Sequence, residues 1–247
     1  AKSAVVGDTT GKGYIYNSSA LSIQKGKFYG FNYTVDIYNG LIEMTKVTVL
    51  TAKGTDPNLE VTAATWTATE ALALSATAWA PAYVSMELFG YADVSGTKTF
   101  YNGYLPGFGP GYVQTNGATD AIAVKKFTAT GWIIGRSSGA VPSKITIQGT
   151  YTNMVDATDA EKLAVSVGMF KAPAANDNVT SNITLPTAVK FGCVAWTSSN
   201  EAVISNAGVV TRPASGQPDA TVTMSYVITV GTASSESVGI PYVVKAE

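Results

Sequence analysis

The clearest pattern along the chain is a strict alternation. Phe31, Tyr33, Val35 and Ile37 are interleaved with Asn32, Thr34, Asp36 and Tyr38, the period of two that predicts a half-buried strand. Asn39-Gly40 follows, a dipeptide that accepts positive φ at both central positions of a tight hairpin turn. Thr45, Val47 and Val49 then resume the alternation, so the stretch reads as a β-hairpin. Further on, Val84, Met86 and Leu88 alternate with Ser85, Glu87 and Phe89, and Ser95-Gly96 turns the chain into another strand at 97–101. More strands are expected at 121–129, 131–135 and 144–151, with Ile145, Ile147 and Tyr151 on one face. Strands and turns recur at the spacing of sandwiches and barrels, so this half of the chain reads as all-β.

Residues 1–20 read as an arm. Asp8-Thr9-Thr10-Gly11-Lys12-Gly13 is turn-like, and Tyr14-Ile15-Tyr16 is a short extended apolar piece. Such an arm could pair with a neighbour's sheet edge or be an ordinary first strand; the residues leave both open. Residues 55–97 are rich in Ala and Thr. Residues 72–76 have helical propensity, but Thr65, Thr67, Thr69 and Thr77 and the missing 3.6 period favour strand or loop. Between 100 and 112, four glycines and two prolines forbid regular structure, so five aromatics are expected on display in a loop.

The boundary of a second domain is expected at 153–158. Thr158-Asp159-Ala160-Glu161 has capping-box spacing. Leu163, Val167 and Phe170 then share one helical face, and Gly168 ends or weakens the helix. Trp196 sits on a short apolar run, and Asn206-Ala207-Gly208 reverses the chain. Val222, Met224, Tyr226, Ile228 and Val230 alternate with small polar residues, as do Val238, Ile240, Tyr242 and Val244 with their neighbours. Pro241 cannot donate to a ladder, which suits an edge strand.

Asp159-Ala160-Glu161-Lys162, Leu185-Pro186, Trp196-Thr197-Ser198-Ser199-Asn200 and Thr211-Arg212-Pro213 occur in order over about 157–245. This pattern resembles the atrophied bacterial immunoglobulin-like domain of secreted and surface-attached bacterial proteins. Cys193 and Glu201 depart from it, at positions where a small polar or aliphatic residue and a proline are more usual. The resemblance implies an immunoglobulin-like β-sandwich and carries no catalytic residue. The expected plan is an arm at 1–20, an all-β sandwich or barrel-like domain at 21–152, and the immunoglobulin-like domain at 153–247.

Composition narrows the role. Of the 247 residues 46% are hydrophobic, ample for a packed core, but only 13% are charged, about half the usual share. Thr, Ser, Ala and Gly fill the gap, which suits a self-association surface or life outside the cell, because monomeric solubility leans on charge. Sixteen basic against seventeen acidic side chains argue against a nucleic-acid partner, which needs clustered Lys and Arg. Lys125-Lys126, the one basic doublet, reads as a solvated pair. No apolar run is long enough for a membrane span. The sequence starts at Ala1, consistent with a removed signal peptide or with trimming of Met.

The chemistry-bearing residues are few. There is no histidine and a single cysteine, Cys193, which excludes an internal disulfide and the common triads and zinc sites. Cys193 reads as a small buried hydrophobe. Charge is segregated: between Lys53 and Lys98 stand five acids (Asp56, Glu60, Glu70, Glu87, Asp93) and no base. From Lys98 to Lys144 stand five bases and the single acid Asp120. That could be chance in a charge-poor chain, or two faces that meet between subunits. Paired carboxylates for glycoside hydrolysis and calcium held by Asp156 and Asp159 are weaker readings. No cofactor, metal or catalytic residue is assigned.

The candidate interaction surface is Tyr14 and Tyr16 on the arm, with Tyr101, Tyr104, Phe108 and Tyr112 on the aromatic loop. The leading expectation is a non-enzymatic structural subunit of a secreted bacterial filament or surface layer, with copies of itself as partners. Two alternatives are a carbohydrate-binding module that stacks sugars on the aromatic loop, and a virion tail-tube or decoration protein.

Overall fold

The computed structural model describes residues 2–7, 12–25, 27–55, 62–137, 139–140 and 142–247. The expected turn at Asp8–Gly11 and the acids Asp56 and Glu60 lie outside the described residues. The chain divides into two compact units, Ala1–Asp156 and Ala157–Glu247.

The first unit contains a four-stranded sheet and a barrel. The sheet is built from β1 (Ser3–Gly7), β2 (Lys12–Tyr16), β3 (Lys27–Tyr38) and β4 (Leu41–Thr55), in the order β1-β2-β4-β3. Strands β2 and β4 run parallel, and the other neighbours run antiparallel. The arm is therefore a pair of strands within this sheet. The hairpin between β3 and β4 forms as its alternation predicts. Tyr38 pairs with Leu41, and Asn39 and Gly40 both adopt positive φ, 48° and 81°, the geometry of a two-residue type I′ turn.

Burial of that hairpin departs from the expectation. Ile15, Leu21 and Val47 form a small core, with Val6, Ile23, Phe31, Met44 and Val49 packed on it. This cover stops at Phe31. Beyond it Tyr33, Val35 and Ile37 are 48%, 60% and 54% exposed. Alternation fixes which residues share a face, whereas burial depends on a second layer, which does not reach this end of the strand.

The rest of the unit is β5 (Ala64–Thr65), α1 (Ala68–Leu72), β6 (Ala82–Ser95), β7 (Lys98–Tyr104), β8 (Tyr112–Asn116), a single 3-10 turn (Asp120–Ile122), β9 (Lys125–Arg136) and β10 (Lys144–Asp156). Strands β6-β7-β8-β10-β9 pair in that order, and β9 returns to pair with β6, closing a five-stranded barrel. The β8–β10 seam is parallel. Val84, Met86, Leu88, Val113, Phe127, Ile133, Ile145 and Ile147 are buried in its core. Ile122 on the 3-10 turn presses so closely that a Cβ on Gly90 would lie 1.8 Å from the Ile122 carbonyl oxygen; only glycine fits there.

Helix α1 adds a short helix just before the 72–76 segment and shares only Leu72 with it; residues 73–76 lie outside helix and strand. Thr67 accepts from the Thr69 amide, and its own N–H and hydroxyl donate to Glu70. This capping box starts a one-turn helix within a Thr-rich stretch. The aromatic loop is corrected. Strand β7 runs to Tyr104, and Tyr104, Leu105 and Phe108 are buried, at 5%, 3% and 2% exposure. Glycine and proline bend this segment back over its own unit, so Tyr104 and Phe108 are buried instead of displayed, while Phe100 stays 46% exposed. Strand β10 extends to Asp156, where the first unit ends.

The second unit opens with α2 (Asp159–Met169), capped reciprocally by Thr158 and Glu161. Leu163 and Phe170 face the core, but Val167 is 45% exposed, which corrects its place on that face; Val165 is the buried position. The helix continues through Gly168 to Met169. One sheet follows, β11 (Asn176–Val179), β15 (Val238–Val244), β13 (Ala220–Val230) and β12 (Cys193–Ser198) in that order, with the short β14 (Ala233–Ser234) beside β13. Val222, Met224, Ile228, Ile240, Tyr242 and Val244 are buried on one face, while Thr221 and Thr223 of the other face are exposed.

Trp196 anchors this core. Its indole Nε1–H donates to the Pro186 carbonyl at 2.8 Å, and its ring lies 5.1 Å from that of Tyr226. The turn at Asn206–Gly208 forms, with Gly208 at φ 82°, and Asn206 accepts from the Ser198 amide. The returning segment makes only the isolated Ile204–Val210 bridge. Two expectations are corrected here. Cys193 is exposed, because it alternates with buried Val194 and Trp196 and so points outward. Strand β15 is interior, between β11 and β13. Pro241 is tolerated because β11 begins at Asn176 opposite Tyr242, one residue past the proline.

Candidate self-association surface

Register fixes the two faces of the N-terminal sheet. One lateral row is Ala4, Ile15, Met44 and Val35; the next is Val5, Tyr14, Glu43 and Asp36. Side chains alternate between faces along a strand, so Val35, Ile37, Ile42 and Met44 share the first face. Tyr14, Tyr16, Leu41, Glu43 and Asp36 share the second. Leu41 and Tyr14 belong to the barrel's hydrophobic cluster; the second face is therefore the one seated on the barrel. The first face carries the small core at one end and the uncovered Tyr33, Val35 and Ile37 at the other. Near the small core, Ile23, Tyr29, Val49 and Leu50 line a shallow open groove.

Electrostatics on this sheet are sparse. Strand β1 has no charged residue, and β3 has only Lys27 and Asp36, one near each end. Asp36 stands directly opposite Glu43. Burial, and secondarily the Asp36 charge, push the Glu43 carboxyl above the ordinary carboxylate value. On the same face Lys12 holds its ammonium 5.4 Å from the centre of the Trp132 ring.

The structure separates the residues singled out in the sequence. Tyr16 is 60% exposed and Tyr14 is half-buried on the barrel. Tyr101 packs on the barrel core and Tyr112 is half-buried on β8. Tyr104 and Phe108 are buried, Phe108 in the barrel core. The uncovered apolar residues of β3 were missed as surface, although their alternation was the strongest signal in the chain.

The acids and the basic doublet find protein partners. Lys125 pairs with Asp156, and Lys126 lies 3.7 Å from Glu87. Asp93 accepts from the Asn102 amide, and Asp159 accepts from the Thr232 backbone. Hydrogen bonds from Thr67 hold the Glu70 carboxyl below its ordinary value. Among the described residues no group of three or more Cys, Asp or Glu could hold a metal ion. Among them, too, no helix is long and apolar enough to cross a membrane.

Comparison with known proteins bears on the second unit. Residues 157–245 match the atrophied bacterial Ig domain family. The match coincides with the second unit, Ala157–Glu247, which Trp196 anchors. No curated protein matches the chain. A solved structure, Mycoplasma genitalium RNase R in complex with ribose methylated single-stranded RNA, aligns with 99% of this chain at 9% identity and a TM-score of 0.23. The chain spans 45% of that structure's length, and a likeness this slight shows neither fold nor function.

Proposed function

We propose that this chain is a non-enzymatic structural subunit that assembles with copies of itself on the bacterial surface, as a filament or layer. The observation that carries the reading is the uncovered apolar strand β3. A surface of Tyr33, Val35 and Ile37 beside an edge that is unpaired among the described residues is a liability in a solitary molecule, and proteins normally blunt such edges. The atrophied Ig domain at 157–245 supports a surface or structural module. The low charge content supports contact with like surfaces.

The same sheet also favours a second setting, the tube of a virion. Four strands with both outer edges unpaired among the described residues suit a ring as well as a fibre. Sugar binding by the 100–112 segment loses its platform with Tyr104 and Phe108 buried.

The deciding experiment is light scattering with electron microscopy of the purified full chain across a concentration series. Regular fibres, sheets or rings are the expected result. A monomer at every concentration overturns the proposal.

A further inference from the structure

We infer that β3 of one copy pairs with β1 of the next, so that the N-terminal sheet continues from molecule to molecule. This rests on the self-assembly reading and adds to it the joint, its direction and its register.

Direction is the first argument. Strand β1 runs antiparallel to β2, β2 parallel to β4, and β4 antiparallel to β3. The two outermost strands therefore point the same way. A second copy placed beside the first without being turned over sets its β1 parallel to β3. Each copy carries both halves of the joint.

Side-chain phase is the second. In the shared row Ala4 aligns with Val35, and one step along Val6 pairs with Gly13 while Ile37 pairs with Ile42. If the row continues into the next copy, its Ala4 and Val6 come beside Val35 and Ile37, on the same face. The five residues of β1 then lie along Thr34–Tyr38, at the end of β3 that the small core leaves bare.

Charge is the third. The face that bears the facing acids Asp36 and Glu43 on the β3 side bears Lys12 on the β1 side, since Lys12 pairs with Gly7 in phase with Tyr14 and Glu43. Like charges directly opposite each other destabilise a strand pair. A neighbour's β1–β2 flank brings a cation toward them. Joining β3 to β3 through a two-fold axis would instead add a second pair of acids and leave Lys12 apart. Residues 34–38, the part of β3 that this register sets against β1, pair regularly with β4 and contain no proline, with Asp36 as their one charge, so the edge is only lightly guarded.

The test uses the full chain with Cys193→Ala, carrying Ala4→Cys, Val35→Cys or both, treated with a short bismaleimide and read by gel, with light scattering on the untreated samples. Within one copy the two positions are three strand spacings apart, about 14 Å, whereas across the joint their Cβ atoms would be ~5 Å apart. The double variant should give a ladder of covalent multimers. Each single variant should stay monomeric on the gel, and a mixture of the two singles should give dimers and nothing larger.

Dimers from Val35→Cys alone would overturn the joint in favour of a two-fold β3 contact. Large assemblies by scattering without a ladder would also overturn it while leaving the structural-subunit reading standing. Absence of assembly in every sample would remove both. Circular dichroism of each variant checks that the substitutions, at half-buried Ala4 and exposed Val35 and Cys193, leave the fold intact.

Discussion

The indole Nε1–H of Trp79 donates to the carbonyl oxygen of Asn39 at 3.2 Å. The backbone of the same residue clamps the turn from two more positions, accepting from the Ile42 amide at 3.1 Å and donating to the Gly40 carbonyl at 2.7 Å. With Trp79 only 7% exposed and packed beside Leu41, the tip of the β3–β4 hairpin is fixed to the barrel. The bare apolar strand is therefore presented on a rigid element.

Trp79→Ala should lower the stability of the first unit by about 3–5 kcal/mol, the usual cost of truncating a buried aromatic. Trp79→Phe should keep much of the packing and lose a hydrogen bond worth about 1 kcal/mol. Urea denaturation followed by circular dichroism separates the two. Equal losses would mean that the indole bond, and not the ring's packing, dominates.

Tyr104→Ala and Phe108→Ala should each cost about 3–5 kcal/mol in the same measurement, because both rings are buried, Phe108 in the barrel core and Tyr104 beside Phe89 on the other face of the sheet. Surface sugar platforms would lose polysaccharide retention with little change in stability. That pattern would contradict the observed burial.

Gly90→Ala should cost at least the upper part of the ~1–3 kcal/mol typical of overpacking. The added methyl meets a backbone carbonyl, Ile122 O, at 1.8 Å, and a carbonyl cannot rotate away as a flexible side chain can. A thermal unfolding midpoint close to that of the parent protein would refute the close approach.

Glu43 gives a pH signature. Its folded carboxyl binds a proton more tightly than the unfolded chain does, because burial and Asp36 raise its value. The stability gained from that proton is fully present below the ordinary carboxylate value and is lost as pH rises through the raised folded value. Glu43→Gln should therefore melt higher than the parent near neutral pH, with the gap narrowing as pH falls into the carboxylate range. A gap independent of pH would assign the effect to something other than ionisation.

The sequence was most legible where a local rule decides the structure. Asn39-Gly40 set its turn, Thr158 with Glu161 set its helix start, and Trp196 with the residues around it marked the second unit before any contact was known. Burial was another matter. Alternation in 31–38 identifies a face, but whether that face is covered depends on segments distant in sequence, here Leu21 and Ile23, which reach only as far as Phe31. The same limit misplaced Cys193, whose apolar neighbours concealed its outward phase, and Val167, one helical step from the buried side. Around 100–112 the error ran the other way. Glycine and proline exclude regular structure, yet they also allow tight bends that fold aromatic rings back over a core.

The shared direction of β1 and β3 has a consequence for mixed populations. A line of molecules joined through unlike edges has two unlike ends, so a subunit able to use only one of them can enter but cannot be followed. A small admixture of such a subunit would set the length of the whole, shortening every line in proportion to its fraction. Length would then be governed by stoichiometry alone, with no separate ruler.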